Sequence, residues 1–226
     1  MSNQGRFPSI VLGLIHGSYV HERRVRVLGS LIAEMLPAGA SVLDVGCGDG
    51  RLSGQILAQR SDVTIEGLDV LPRANARISA THFDGKVIPC EDSSVDSVMF
   101  VDVLHHAEDP CALLREGARV ARNRVIVKDH NCGSPLAELT LGFMDWVGNA
   151  RYDVNLPYNY WSAGLWTAAF DLLGLQKVAH RTELGLYPGF ADWVFGRNLH
   201  FLACLEKQPA TTSTSTSPTT SAPGAH

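Results

Sequence analysis

Asp44, Gly46, Gly48 and Gly50 stand on alternate positions in Val42-Leu43-Asp44-Val45-Gly46-Cys47-Gly48-Asp49-Gly50, between an apolar run and a helical stretch. Glycines so spaced let the backbone turn tightly and approach a ligand, and the helix start beyond them offers N–H groups and a positive dipole end. That chemistry suits an adenosine-bearing ligand. A nicotinamide fingerprint would place its third glycine where Arg51 stands. Asp69 closes the next apolar run, in Gly67-Leu68-Asp69-Val70. A carboxylate there can accept two hydrogen bonds from a ribose cis-diol, or it can cap a helix starting at Leu71-Pro72. Two further clusters follow apolar runs: His105-His106 after Val101-Asp102-Val103-Leu104, and Asp129-His130 after Val125–Lys128. Histidine is the side chain best matched to proton transfer near neutral pH, and an acid beside it orients the ring.

The elements that must position these residues alternate. Short apolar runs at Ser41–Val45, Val63–Asp69, Lys86–Pro89, Val95–Val101 and Val125–Lys128 read as strands. Between them, Leu52–Gln59, Arg73–Ala80 and Cys111–Val120 read as helices. Nearly continuous apolar strands alternating with helices predict a doubly wound α/β fold, a parallel sheet covered on both faces. Ligands in such sheets bind outside the carboxyl ends of the strands. Upstream, Val25, Leu28, Ile32 and Met35 mark an amphipathic helix near residues 20–36, with Arg23, Arg24, Arg26 and Glu34 on its solvated face and Pro37 as its stop.

Composition narrows the classes. The 226 residues are 45% hydrophobic, enough for one domain with a real core, and their net charge of −4 is too weak a field to recruit nucleic acid. The five cysteines are scattered without a C-x-x-C pair, which points to a reducing cytoplasm and away from a thiolate zinc site. Ile10–Ile15 is too short for a membrane span, so no membrane partner is expected. The expected organisation is an N-terminal helical segment at 1–37, a catalytic domain at 38–207 and a disordered Thr/Ser/Pro tail at 208–226. The sequence carries no signal for an oligomeric state.

The glycine-rich run, Asp69, and the stretch from Asp84-Gly85 through Ile88-Pro89 and Asp92–Asp96 to Val101-Asp102-Val103-Leu104-His105-His106 together resemble class I S-adenosylmethionine-dependent methyltransferases, in the small-molecule group of ubiquinone- and menaquinone-biosynthesis type. The resemblance implies a Rossmann-like seven-stranded sheet, parallel except for a C-terminal hairpin supplied by Gln176–Glu183 and Leu199–Glu206. It implies S-adenosylmethionine as cofactor and S-adenosylhomocysteine as product, bound by Asp44, Gly46, Cys47, Gly48, Asp69, Val70, Asp84, Gly85, Val101 and Asp102. Within it, Asp84 would accept from the adenine amino group, and the Val101–Asp102 backbone would lie at the methionine end. His105, paired with Asp129, would act as base on a small-molecule hydroxyl, with His130 as a weaker candidate. A carbon or nitrogen acceptor, or a fold that binds cofactor without turnover, are the alternatives. The substrate wall would come from an insertion at 131–166, rich in aromatics: Phe143, Trp146, Tyr152, Tyr158, Tyr160, Trp161 and Trp166. Burial accounts for most of these, and Trp166, at helical spacing with Phe170 and Leu173, reads as core. Two departures stand out: Ala121-Arg122-Asn123-Arg124 replaces the family's Pro-Gly-Gly turn, and His130 separates Asp129 from Asn131. The second breaks the adjacent acid-Asn pair of catechol-type metal sites that Asp102, Asp129 and Asn131 would otherwise suggest, so no metal is expected. His82, His180 and His200 read as ordinary histidines.

Overall fold

The computed structural model describes residues 7–149, 159–189, 192, 195, 196 and 198–208, with the side chains of 7–18 and 143–149 left aside. In chain order the elements are α1 (Phe7–Met35), β1 (Ser41–Val45), α2 (Arg51–Leu57), β2 (Thr64–Asp69), β3 (Ala80–His82), β4 (Val95–Val101), α3 (Pro110–Val120), β5 (Ala121–His130), α4 (Pro135–Asn149), α5 (Ala163–Leu172), β6 (Leu175–Arg181) and β7 (His200–Lys207), with a 3-10 turn at Leu104–His106. The seven strands form one sheet in the order β3-β2-β1-β4-β5-β7-β6. Strands β1 to β5 run parallel, and β7 is antiparallel to both β5 and β6. The order reverses between β1 and β4, so the crevice at their carboxyl ends is where a ligand is expected.

Successive strand residues point to opposite faces, and the core divides accordingly. Leu43, Val98, Phe100, Val125 and Val127 face α3 and α5, packing with Leu113, Leu114, Trp166 and Phe170. Val42, Ile65, Met99, Ile126 and Leu202 face the other way, against Leu28 and Ile32 of α1 and Ile56 of α2. Asp109 caps α3 by accepting from the Ala112 N–H at 2.9 Å, and Pro110 supplies the preset φ of its first turn. No helix among the described residues is long and apolar enough to cross a membrane.

Three sequence expectations need correction. Arg73–Ala80 is not a helix: it is an irregular crossover whose Ile78 packs over the glycine run. Lys86–Pro89 is not a strand, because Asp84 Oδ1 captures the Lys86 and Val87 N–H groups, each at 2.8 Å, and Pro89 has none to give. The third parallel strand is instead the short β3. Finally, no turn intervenes before β5. The strand starts as soon as α3 ends, with Arg122 bonded to Asp96 and Arg124 to Glu206 and to the Met35 carbonyl. The expected 208–226 tail lies, from 209 onward, outside the described residues, as do Tyr152 and Tyr158.

Candidate active site

The edge formed by the ends of β1 and β2 is built from backbone. Gly46, Gly48 and Gly50 all have positive φ, of 77°, 57° and 67°. A Cβ at Gly46 would come within 2.3 Å of the Val103 side chain, so that position admits no other residue, whereas a Cβ at Gly48 would meet nothing within 4 Å. Gly48 therefore faces open space at the strand end. Asp69 accepts from the Gly48 N–H on one carboxylate oxygen and from the Leu71 N–H on the other, each at 2.8 Å, which fixes it without a helix to cap. Asp44 is buried and accepts from the Ser53 hydroxyl at 2.5 Å, tying the glycine run to α2. Burial pushes its carboxyl up to about 7, against the Ser53 hydrogen bond that lowers it. Cys47 packs its sulfur on Gly67, and burial, reinforced by the neighbouring acids, raises its thiol to about 12, so it is no nucleophile. Beyond β2, Val70, Leu71 and Val87 leave their side chains uncovered beside Gly85.

The edge formed by β4, β5 and β7 is built from buried side chains. His105 is 1% exposed and Asp129 fully buried. The His105 Nδ1 lies 2.7 Å from Asp129 Oδ1, and Asp129 also accepts from the His130 N–H at 2.8 Å. Burial opposes ionisation of Asp129, but the His105 and His130 contacts outweigh it and hold the carboxyl far below the usual range. His130 Nδ1 lies 3.4 Å from Asp129 and its Nε2 3.7 Å from Asp102, so that ring sits between two acids, while burial lowers its pKa. Its carbonyl accepts from Trp166 Nε1 at 2.9 Å, and the Asn159 N–H donates to the His105 carbonyl at 2.8 Å, which brings the aromatic segment over the histidines. Tyr160 completes this wall, its ring 5.9 Å from that of His105 and 6.0 Å from that of His130. Among the described residues, His105, Asp129 and His130 offer ligand atoms within 4.8 Å of one another, spacing that a cation could use. The 2.7 Å separation of Nδ1 and Oδ1 is that of a hydrogen bond, however, and Asp102 is committed to Lys128 and Arg24.

Sequence reasoning missed that commitment. Arg24, expected on a solvated face, donates to Asp102 Oδ2 at 3.2 Å, and Arg23 donates to the Gly185 carbonyl at 3.1 Å; Arg26 alone of the three is exposed. His200, taken as ordinary, is buried 3.3 Å from Lys128 Nζ. The signal was a lysine inside a continuous apolar strand, which must find a partner.

The methyltransferase-domain family matches residues 19–180. Over 106 residues the chain is 34% identical to the 27-O-demethylrifamycin SV methyltransferase of Amycolatopsis mediterranei, covering 40% of this chain and 39% of that protein. Over 102 residues it is 34% identical to a ubiquinone biosynthesis O-methyltransferase of Xanthomonas axonopodis, covering 40% and 42%. The chain thus aligns with less than half the length of either relative. Among solved structures, an S-adenosylmethionine-dependent methyltransferase from Aquifex aeolicus superposes with a TM-score of 0.57 at 17% identity, covering 84% of this chain and 97% of that one. The [4+2]-cyclase SpnF superposes at 0.59 and 18%, covering 80% of each, so the same fold carries a differently named reaction. With the family matched over most of its length and the strand order in agreement, this chain belongs to the methyltransferase-domain family of class I S-adenosylmethionine-dependent enzymes.

Proposed function

We propose that this protein transfers a methyl group from S-adenosylmethionine to a hydroxyl oxygen of a small molecule, with His105 as the base. The observation that carries the proposal is the buried 2.7 Å hydrogen bond between His105 Nδ1 and Asp129 Oδ1 at adjacent strand ends. The residues present fit the cofactor: a glycine run opening onto space at Gly48, an acid at Asp69 with each oxygen able to accept further, and uncovered apolar side chains at Val70, Leu71 and Val87. Asp69 would hold the ribose hydroxyls, Asp84 the adenine amino group, and the backbone of Gly46, Cys47, Gly48, Gly85, Val101 and Asp102 the remainder. Asp44 would act through Ser53, keeping the glycine run in place. When bound, S-adenosylmethionine supplies a sulfonium methyl open to in-line displacement.

The chain's own work is orientation and proton removal. Asp129 fixes His105 with its proton on Nδ1, which leaves the Nε2 lone pair as the acceptor for a hydroxyl proton and stabilises the imidazolium that results. Tyr160 closes the acceptor side beside His105 and His130 and helps exclude water. The oxygen acceptor is supported by the two relatives, one named for 27-O-demethylrifamycin SV and one an O-methyltransferase of ubiquinone biosynthesis. Five unpaired cysteines fit a cytoplasmic protein. A metabolite screen with methyl-labelled S-adenosylmethionine tests the proposal: an O-methylated small product is expected, and label appearing only on carbon, nitrogen or macromolecule would overturn it.

A further inference from the structure

Lys128 is fully buried on β5. Its Nζ donates to Asp102 Oδ1 and, at 3.3 Å, to His200 Nδ1. The His200 Nε2 lies 3.3 Å from the Tyr187 hydroxyl, and the Tyr187 ring lies 5.7 Å from the Arg24 guanidinium. Arg24 in turn donates to Asp102 Oδ2 at 3.2 Å, so the contacts close into a ring. That ring takes one residue each from α1, the end of β4, β5, β7 and the connection leading into β7.

Stability is a poor reason for such a residue. A buried ion pair recovers its desolvation cost only with good geometry, and apolar replacements of the whole pair are often neutral or better. What the lysine does hold is Asp102, and it does so twice. The Asp102 N–H donates to the Lys128 carbonyl at 2.9 Å while its side chain accepts from the Lys128 ammonium. Asp102 needs that hold, because its φ of 57° places a non-glycine residue in the left-handed region. Burial alone would favour the neutral carboxyl, yet Lys128, His130 and Arg24 keep it well below the ordinary range.

We propose that Lys128 is a positioning residue for the cofactor: seated between Asp102 and His200, it fixes the Asp102 backbone against which the amino-acid end of S-adenosylmethionine binds, and Arg24 extends the same hold to α1. The proposal rests on assigning the Val101–Asp102 edge to the cofactor. It separates this ring of residues from the His105–Asp129 pair, which acts on the acceptor.

Calorimetric titration with S-adenosylhomocysteine tests it on three proteins: the parent, Lys128→Met, and the neutral pair Lys128→Met/Asp102→Asn. The pair removes the buried ammonium and its carboxylate together, leaves Arg24 an amide oxygen to donate to, and keeps a residue that tolerates positive φ. Both variants should bind about tenfold more weakly per folded molecule, the equivalent of one charge-assisted hydrogen bond's worth of positioning, with the double no weaker than the single. With an acceptor in hand, cofactor KM should rise more than kcat falls. Parent-like affinity in the folded neutral pair would overturn the proposal even if its melting temperature dropped. A parent that binds no S-adenosylhomocysteine would instead overturn the cofactor assignment beneath it.

Discussion

The two halves of the sheet's carboxyl edge are made of different material. At β1 and β2 the site is backbone: three glycines at positive φ, and acids that hold N–H groups within a few residues or across one strand. At β4, β5 and β7 it is side chain: Asp102, Lys128, Asp129, His105, His130 and His200, mostly buried and tied to one another across long sequence separations. A surface of N–H groups and open glycines suits a constant ligand, since it admits little variation. Buried, mutually held ionisable groups suit proton movement, because a low dielectric strengthens each interaction. Under the proposed function, cofactor binding falls to the first half and proton transfer to the second, with the Lys128 ring, through Asp102, as the joint between them.

The largest effect expected from breaking this division is at His105. His105→Ala should lower turnover of a neutral hydroxyl acceptor about 10²–10⁴-fold, the usual contribution of a general base, with S-adenosylhomocysteine affinity unchanged. Asp129→Asn should fall in the same direction, and the double variant should lose little beyond the worse single, because residues acting as one unit are not additive. Steady-state kinetics beside calorimetry decides it: losses that multiply would mean separate roles, and full turnover by folded His105→Ala would remove the residue from the mechanism.

A smaller effect sharpens the contrast between two buried acids. Asp44, raised to about 7, stays protonated in the fold at a pH where the unfolded chain has lost the proton, so its contribution to stability is full below about pH 4 and is lost as pH rises to about 7. Asp129, held low, contributes above about pH 4 and loses that contribution only as the solution becomes more acidic. Between pH 5 and 7.5 the ligand-free protein should therefore lose melting temperature through Asp44 alone of the two. Asp44→Asn should flatten that slope in a thermal melt, and an unchanged slope would mean that Asp44 is ionised throughout.

The same division explains what could be read from the sequence. The glycine run, Asp69, Asp84 and the His-His pair sit in local patterns, because the backbone geometry they serve is local. The His105–Asp129 pairing was legible through the family resemblance, and the structure brings the two together because His105 lies in the turn just after β4 and Asp129 at the end of the neighbouring β5. Arg24 was misjudged because the helix periodicity does place it outside the apolar stripe: at about 100° per residue, residues 23, 24 and 26 span about 160°, but Arg24 lies at the edge beside Leu28 and Met35, where it reaches Asp102. His200 and Tyr187 gave no local signal, since their partners lie on α1 and β5 and are set by the antiparallel register of β7. The absent helix at Arg73–Ala80 is a tertiary override, with Ile78 drawn down over Gly50 and Gly67.

Calorimetric titration of the parent and of Asp69→Ala with S-adenosylhomocysteine tests the division most directly, because Asp69 stands for the backbone-built half. One site per chain is expected in the parent. Loss of two charge-assisted hydrogen bonds, roughly 1.5–3 kcal/mol each, should weaken the variant by about a hundredfold or more. Equal affinity in a folded Asp69→Ala protein, or no binding by the parent, would contradict the account.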